Sequence, residues 1–270
     1  MFLIDWGYKM KSVFVEGKTF DDTWFKLLSE VYHNGRVNHI DAGSFAGQDR
    51  LEFDFVAGTI HYPTTRPLSP IMPEGLPPIT TDEDIEKYFV TYLMDGKLED
   101  NEHYKYATWI AGGEYKLPHV QGIDLKSGKT HVIFSWDFKI IVPNQIQWCI
   151  DHYKSKGHGN NHCAITLGYP ESNLAYDQPY TNEMDRGTSP CLRLIDTAIK
   201  DGKLCFHCVF RSWDLYGAWP ENMGGIVMLM EFMANELGIE VGTLSFSSLK
   251  LHCYSHSIDV LKARLGIKDE

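Results

Sequence analysis

PCLRLIDTAIKDGKLCFHCVFRSWDLYG, residues 190 to 217, is the stretch whose reading decides the fold. The alternating apolar runs CLRLIDTAIK and KLCFHCVF flank Asp201-Gly202. A two-residue Asp-Gly turn between such runs signals a β-hairpin, because both turn positions need positive φ. Pairing Lys200 with Lys203 then sets the register: Cys191 stands opposite Ser212 and beside Arg211, unless a bulge shifts the pairing by one residue. A guanidinium beside a thiol favours the thiolate, which is the nucleophilic form.

Composition limits the function classes. At 270 residues, 43% apolar and 23% charged, the chain reads as an ordinary globular protein with one domain over 1–270. A net charge of −11 argues against nucleic acid or an anionic membrane surface as the main partner. No apolar run approaches the ~18 residues of a membrane span, and MFLIDWGYKMK has an acidic residue and no cleavage-site pattern, so a cytoplasmic protein is expected. Met10 is a candidate natural start, with residues 1–9 as an extension. The six cysteines read as reduced. Cys205 and Cys208 have C-x-x-C spacing, but in a strand they point to opposite faces, so no metal site is expected.

Other segments frame the hairpin. SVFVEG reads as a strand, and Phe20 to Asn34 as a helix with Trp24, Leu27, Leu28 and Val31 inward and Asn34-Gly35 as its stop. Arg36 heads the loop GRVNHIDAGSFAGQDR, before an alternating strand, LEFDFVAGTI. Residues 63–78 hold six prolines and read as a surface excursion. Thr80-Thr-Asp-Glu83 is a capping-box pattern opening a helix to Gly96, with Ile85, Tyr88, Phe89, Tyr92 and Leu93 on its apolar face. EDNEHYKYATWIAGG is polar and aromatic and is placed near a pocket. HVIFSWDFKIIV reads as a strand, NQIQWCIDHYKSK as a helix capped by Asn144 and ended by Gly157, and GHGNNHCAITLGY as a turn into a strand. Pro170 to Ser189 reads as a loop. Trp213 to Glu221 is a turn, Asn222 stands at the N-cap of a helix from Met223 to Leu237, and GTLSFSSLKLHCY is a strand in which His252 and Tyr254 share a face.

A cysteine with a distant histidine suits two chemistries: a hydrolase with an imidazole base, or thiolate addition to a pyrimidine ring carbon. The order Pro190-Cys191, Arg211-Ser212-x-Asp214, Asn222, His252-x-Tyr254 resembles the thymidylate synthase family, and the wording CLRLID and FRSWDLYG is similar to its short archaeal members. The resemblance implies an α/β (α+β) fold with a mixed β-sheet packed with helices, one sheet face forming a homodimer interface. It implies reductive methylation of dUMP to dTMP with 5,10-methylenetetrahydrofolate as co-substrate. Cys191 would add to C6 of the pyrimidine. Asn222 would bond the uracil edge and stabilise the enolate, and Arg211 and Ser212 would hold the 5′-phosphate. Asp214 would meet the pterin, and His252 and Tyr254 the ribose 3′-hydroxyl. Arg36 matches the family's phosphate-loop arginine in its offset from Phe45 and Arg50.

Some positions depart from the family pattern. Where the partner subunit usually supplies two phosphate arginines, this chain has Asn160-Asn161-His162, and His162 is an imidazole only partly charged at neutral pH. The family's catalytic glutamate falls to Glu86, with Glu83 second. The chain ends at Glu270, without the long C-terminal segment with which bacterial members seal the site. A folate-dependent pyrimidine 5-hydroxymethylase is the main rival reading, with Glu221 leaving room for cytosine. A catalytically weak nucleotide-binding homologue is the second. A Cys-His hydrolase fits least, because no third group orients His252.

Overall fold

The computed structural model describes residues 9–41, 45–97, 105–116, 119–126, 129–135, 139–175 and 189–268. The first third contains β1 (Ser12–Gly17), α1 (Phe20–Asn34), β2 (Arg36–His39), β3 (Asp49–Glu52), β4 (Phe55–Ile60) and α2 (Asp82–Tyr88), which widens into a π-helical turn, Phe89–Met94. The middle contains α3 (Ala107–Ile110), β5 (Gly113–Lys116), β6 (His119–Lys126), β7 (Lys129–Ser135), β8 (Lys139–Val142), α4 (Gln145–Lys156), β9 (Ala164–Thr166) and α5 (Pro170–Ala175). The last part contains β10 (Leu192–Lys200), β11 (Lys203–Phe210), β12 (Trp213–Asp214), α6 (Trp219–Leu237), β13 (Glu240–Ser248), β14 (Leu251–Tyr254) and α7 (Ile258–Leu265).

The architecture is mixed α/β. A six-stranded sheet runs β1-β4-β13-β11-β10-β9, and a four-stranded sheet runs β12-β14-β3-β2. Both contain parallel and antiparallel pairs. Alternation along the central strands sends Phe206, Cys208 and Phe210 of β11 and Leu244 and Phe246 of β13 into the core. There α6 lays Met223, Ile226, Met230 and Met233 over them, and Trp24 and Trp219 complete a continuous buried cluster. The opposite face carries Ala57, Thr59, His207, Val209, Ser245 and Ser247, all half-buried.

Runs that read as single strands are broken where the two sheets meet. LEFDFVAGTI divides into β3 and β4 around Phe53-Asp54, and GTLSFSSLKLHCY into β13 and β14 around Leu249-Lys250. Trp213-Asp214, read as turn, is the strand β12. These breaks are tied side by side: Phe53 N–H donates to Leu251 O at 3.0 Å and Trp213 N–H to Lys250 O at 3.0 Å. These bonds carry backbone pairing across the step from the large sheet to the small one. Across the seam the Trp213 ring stacks on Phe210 with centroids 3.6 Å apart.

Helix boundaries agree with the sequence for α1 and α4, where Asn144 caps by accepting from Gln147 N and Gly157 closes with φ +84. Elsewhere they shift. The capping box is Thr81 with Asp84, one residue later than read, because Thr80 is buried and Thr81 has the extended backbone a cap needs. The helix after it is α only to Tyr88. Helix α6 begins four residues before the expected Met223, since Pro220 is preorganised for a first turn, and Asn222 is inside the helix, not its cap. The Pro170–Ser189 loop opens with α5; residues 176–188 lie outside the described residues. HVIFSWDFKIIV is two strands, β7 and β8, in separate two-stranded sheets. Arg36 starts β2 instead of heading a loop.

Candidate active site

The seam between the sheets opens into a cavity of about 420 Å³, within the range of small-molecule sites. Cys191 and Ser212 line it from the end of the hairpin, and Trp213, Asp214, His252 and Tyr254 from the small sheet. Ala218, Glu221 and Asn222 line it from the start of α6, and Tyr88, Tyr92 and Tyr106 form the facing wall.

The hairpin keeps the expected register from Lys200↔Lys203 to Leu194↔Val209, with Asp201 at φ 51 and Gly202 at φ 74 in the turn. A bulge at Arg193 then shifts the pairing, so Leu192 pairs with Phe210. Arg211 N–H donates to Cys191 O at 2.9 Å, and Cys191 therefore stands opposite Arg211, not Ser212. The guanidinium clamps the strand leading into Cys191: Nη2 donates to Ser189 O at 2.7 Å and Nε to Pro190 O at 3.2 Å. Burial pushes the Cys191 thiol up, while Arg211 and Arg193 pull it down by less. The arginine acts in the expected direction, but desolvation outweighs it.

Asn222 is oriented by two partners. Trp213 Nε1–H, which can only donate, points at Oδ1 at 3.0 Å, and Nδ2 donates to the Tyr88 hydroxyl at 3.0 Å. An amide has two lone pairs and two N–H groups, so one of each is left for a ligand. Burial raises the Asp214 carboxyl, while the N–H groups of Gly217 and Tyr216, each 3.1 Å from Oδ1, pull it back.

His252 is almost fully buried. Its Nδ1 bonds Lys250 O at 2.9 Å and must be the protonated nitrogen, because a carbonyl only accepts. Nε2 is then a lone-pair acceptor, and it has no hydrogen-bond partner among the described residues. Burial drives the ring from its usual 6.5 down to about 4, the Lys250 bond opposes this, and the Arg50 charge adds to it. Tyr254 meets His252 edge-on at 4.7 Å and stacks on Phe45 at 4.3 Å, which confirms the shared face.

Comparison with known proteins gives the family and the fold. The family model described as thymidylate synthase matches residues 97–269. The chain belongs to the thymidylate synthase family. It is 24% identical to a Methanosarcina mazei protein and 26% identical to a Methanosarcina barkeri protein, both named "Putative thymidylate synthase", over 250 residues and 92% of each chain. Its fold matches the solved thermostable thymidylate synthase A of Bacillus subtilis with TM-score 0.58 at 15% identity, covering 94% of this chain and 86% of the other.

Of the residues this family resemblance singles out, the structure gathers Cys191, Ser212, Asp214, Asn222, His252 and Tyr254 around one cavity, with Arg211 clamped at its edge. Four are not gathered. Arg36 pairs in register with Glu52, which pairs with His252, so it lies two strands away, roughly 10 Å. Its guanidinium engages Asp54 at 2.9 Å. Glu86 and Glu83 are exposed: Ile85 and Tyr88 face α6, which turns the intervening positions outward. His162 is exposed, its ring stacked on His152 at 5.7 Å. The three tyrosines were read as core face or as loosely near a pocket, and Arg193, half-buried beside the thiol, was missed. The signal for the tyrosine wall was chemical. Tyrosine at 88 and 92 brings a hydroxyl that needs a partner to each inward position, which leucine would not.

Among the described residues no helix is long and apolar enough to cross a membrane. No group of three or more His, Cys, Asp or Glu among them is placed to hold a metal ion.

Proposed function

We propose that this chain is a thymidylate synthase, methylating dUMP at C5 with methylenetetrahydrofolate as co-substrate. The observation that carries the reading is that one cavity is lined by a thiol, an oriented amide and a buried neutral imidazole with an unpaired acceptor nitrogen. In this reading the Cys191 sulfur bonds to C6 of the pyrimidine, and C5 becomes a carbon nucleophile. Burial keeps the resting thiol protonated, which suits a nucleophile that ionises only when substrate fills the cavity and Arg211 faces the developing charge. Asn222 offers its remaining N–H to O4 and its remaining lone pair to N3–H, a donor and acceptor pair that matches uracil. His252 Nε2 accepts from the ribose 3′-hydroxyl, with Tyr254 beside it. Ser212 and Arg211 meet the 5′-phosphate.

The folate supplies the one-carbon unit and then the hydride. The donor set fits a pterin: Tyr88 and Tyr92 give stacked rings with Tyr106 edge-on to Tyr92, and Asp214 gives a carboxylate in the same lining. The half-buried face of the six-stranded sheet is the proposed homodimer interface, with His207 and Val209 near its middle.

The test is incubation with folate and either dUMP or dCMP, followed by mass identification of the product. A mass gain of one methyl on dUMP is expected. A hydroxymethyl product moves the assignment to a hydroxymethylase, and no C5-alkylated product with either nucleotide rejects the enzymatic reading.

A further inference from the structure

The cavity has two carboxyl groups in its lining, Asp214 and Glu221. They differ in what they already do. Asp214 accepts from two backbone N–H groups of its own turn and holds that turn in place. Glu221 is half-buried in the first turn of α6, next to Asn222, and forms no hydrogen bond or ion pair among the described residues. The carboxylates of the neighbouring helix are committed or turned away, since Asp84 closes the Thr81 cap and Glu83 and Glu86 are exposed.

We propose that Glu221 is the acid of this site: its carboxyl protonates O4 of the pyrimidine when the Cys191 sulfur bonds to C6, and recovers that proton when C5 bonds to the one-carbon unit. The inference rests on the nucleotide reading above. The electrons balance at each stage. The Cys191 thiol first gives its proton to solvent; as the C6–S bond then forms, the C5–C6 π pair moves through C4 onto O4, which takes the Glu221 proton and leaves Glu221 as carboxylate. As C5 forms its new bond the C4=O4 double bond returns, and the proton goes back to Glu221. No further oxidant or reductant is needed.

The surroundings suit a carboxyl that holds its proton. Burial raises it, and the Asp84 charge across the α2–α6 contact raises it further. The α6 N-terminus opposes this. Besides Glu221, the titratable groups lining the cavity are Cys191, Asp214, the neutral His252 and four tyrosines, with no lysine or arginine among them; the Arg211 guanidinium stands at the edge, donating to Ser189 O and Pro190 O.

The experiment compares wild type with Glu221→Gln and Glu221→Asp in kcat across pH, using dUMP and folate. Expected are a wild-type kcat that falls on the alkaline side as the acid ionises, a loss of about 100-fold or more in Glu221→Gln with that alkaline limb gone, and partial recovery in Glu221→Asp. Circular dichroism and dUMP binding by the Gln variant show that it is folded. A folded Glu221→Gln enzyme with wild-type kcat, or one changed only in KM, overturns the inference and leaves the nucleotide reading standing. An inactive wild type sinks both.

Discussion

The cavity has two walls that differ in kind. One, from the hairpin and the start of α6, carries Cys191, Ser212, Asn222 and Glu221; the other, from α2, its π-helical turn and the approach to α3, carries three tyrosines. Apart from the thiol, the first is built from residue types that a core does not use unless they are paired. The second is built from rings that a core uses freely. Two glycines bring the walls together: a Cβ on Gly224 would lie 2.8 Å from the Ile85 side chain, and one on Gly225 would lie 2.5 Å from the Tyr88 ring. The bond from Asn222 to the Tyr88 hydroxyl joins the two walls across that close approach. Chemistry is therefore assigned to the first wall and shape to the second.

The strongest way to break this assignment is Cys191→Ala. If the first wall carries the reaction, turnover of dUMP falls by on the order of 10⁴-fold or more, while dUMP still binds. Product formation under saturating folate measures it. A variant that kept even a tenth of wild-type turnover would remove the thiol from the mechanism and erase the difference between the walls.

The same difference explains what could be read in the chain. Asp201-Gly202 and its alternating flanks gave the hairpin, and the spacing from Cys191 to Tyr254 gave six of the lining residues, because polar groups at fixed offsets are informative even without structure. The limits are physical as well. A bulge at Arg193 is a local choice of hydrogen bonding that alternation does not encode, and it moved Cys191 by one partner. The seam was hidden because a strand that changes sheets keeps its alternating pattern, as LEFDFVAGTI does on both sides of Asp54. In the sequence Glu221 reads as a neighbour of Asn222 that leaves room for cytosine. An α6 starting at Trp219 instead of Met223 places it on a helix facing the cavity.

Below both walls lies His252, and its burial gives a smaller effect read in stability. Its ring titrates near 4 when folded and near 6.5 when unfolded. The unfolded chain therefore binds the extra proton first as pH falls. The stability from keeping the ring neutral is fully present above pH 6.5 and is lost as pH drops toward 4, a change of about 3 kcal/mol. Glu52, Asp214 and Glu221 are raised by burial and act in the opposite direction, so the test is a difference. Urea unfolding of wild type and His252→Gln at pH 7, 5 and 4 should show the variant losing less on acidification. Equal losses would mean that the ring is not held neutral.

The smallest expected effect sharpens the comparison most. Tyr88→Phe keeps the ring stacked on Tyr92, 5.0 Å away, and removes the oxygen that accepts from Asn222. If the second wall gives shape and only steadies the amide, the amide stays held by Trp213 and the loss is about 1 kcal/mol, roughly fivefold in kcat/KM. Turnover would still be thousands of times above Cys191→Ala. A loss approaching that of the cysteine variant would show that the hydroxyl takes part in the reaction, because a hydrogen bond that only orients a neighbour cannot cost so much. The tyrosine wall would then belong to the chemistry, and the division between the two walls would have to be redrawn at Asn222.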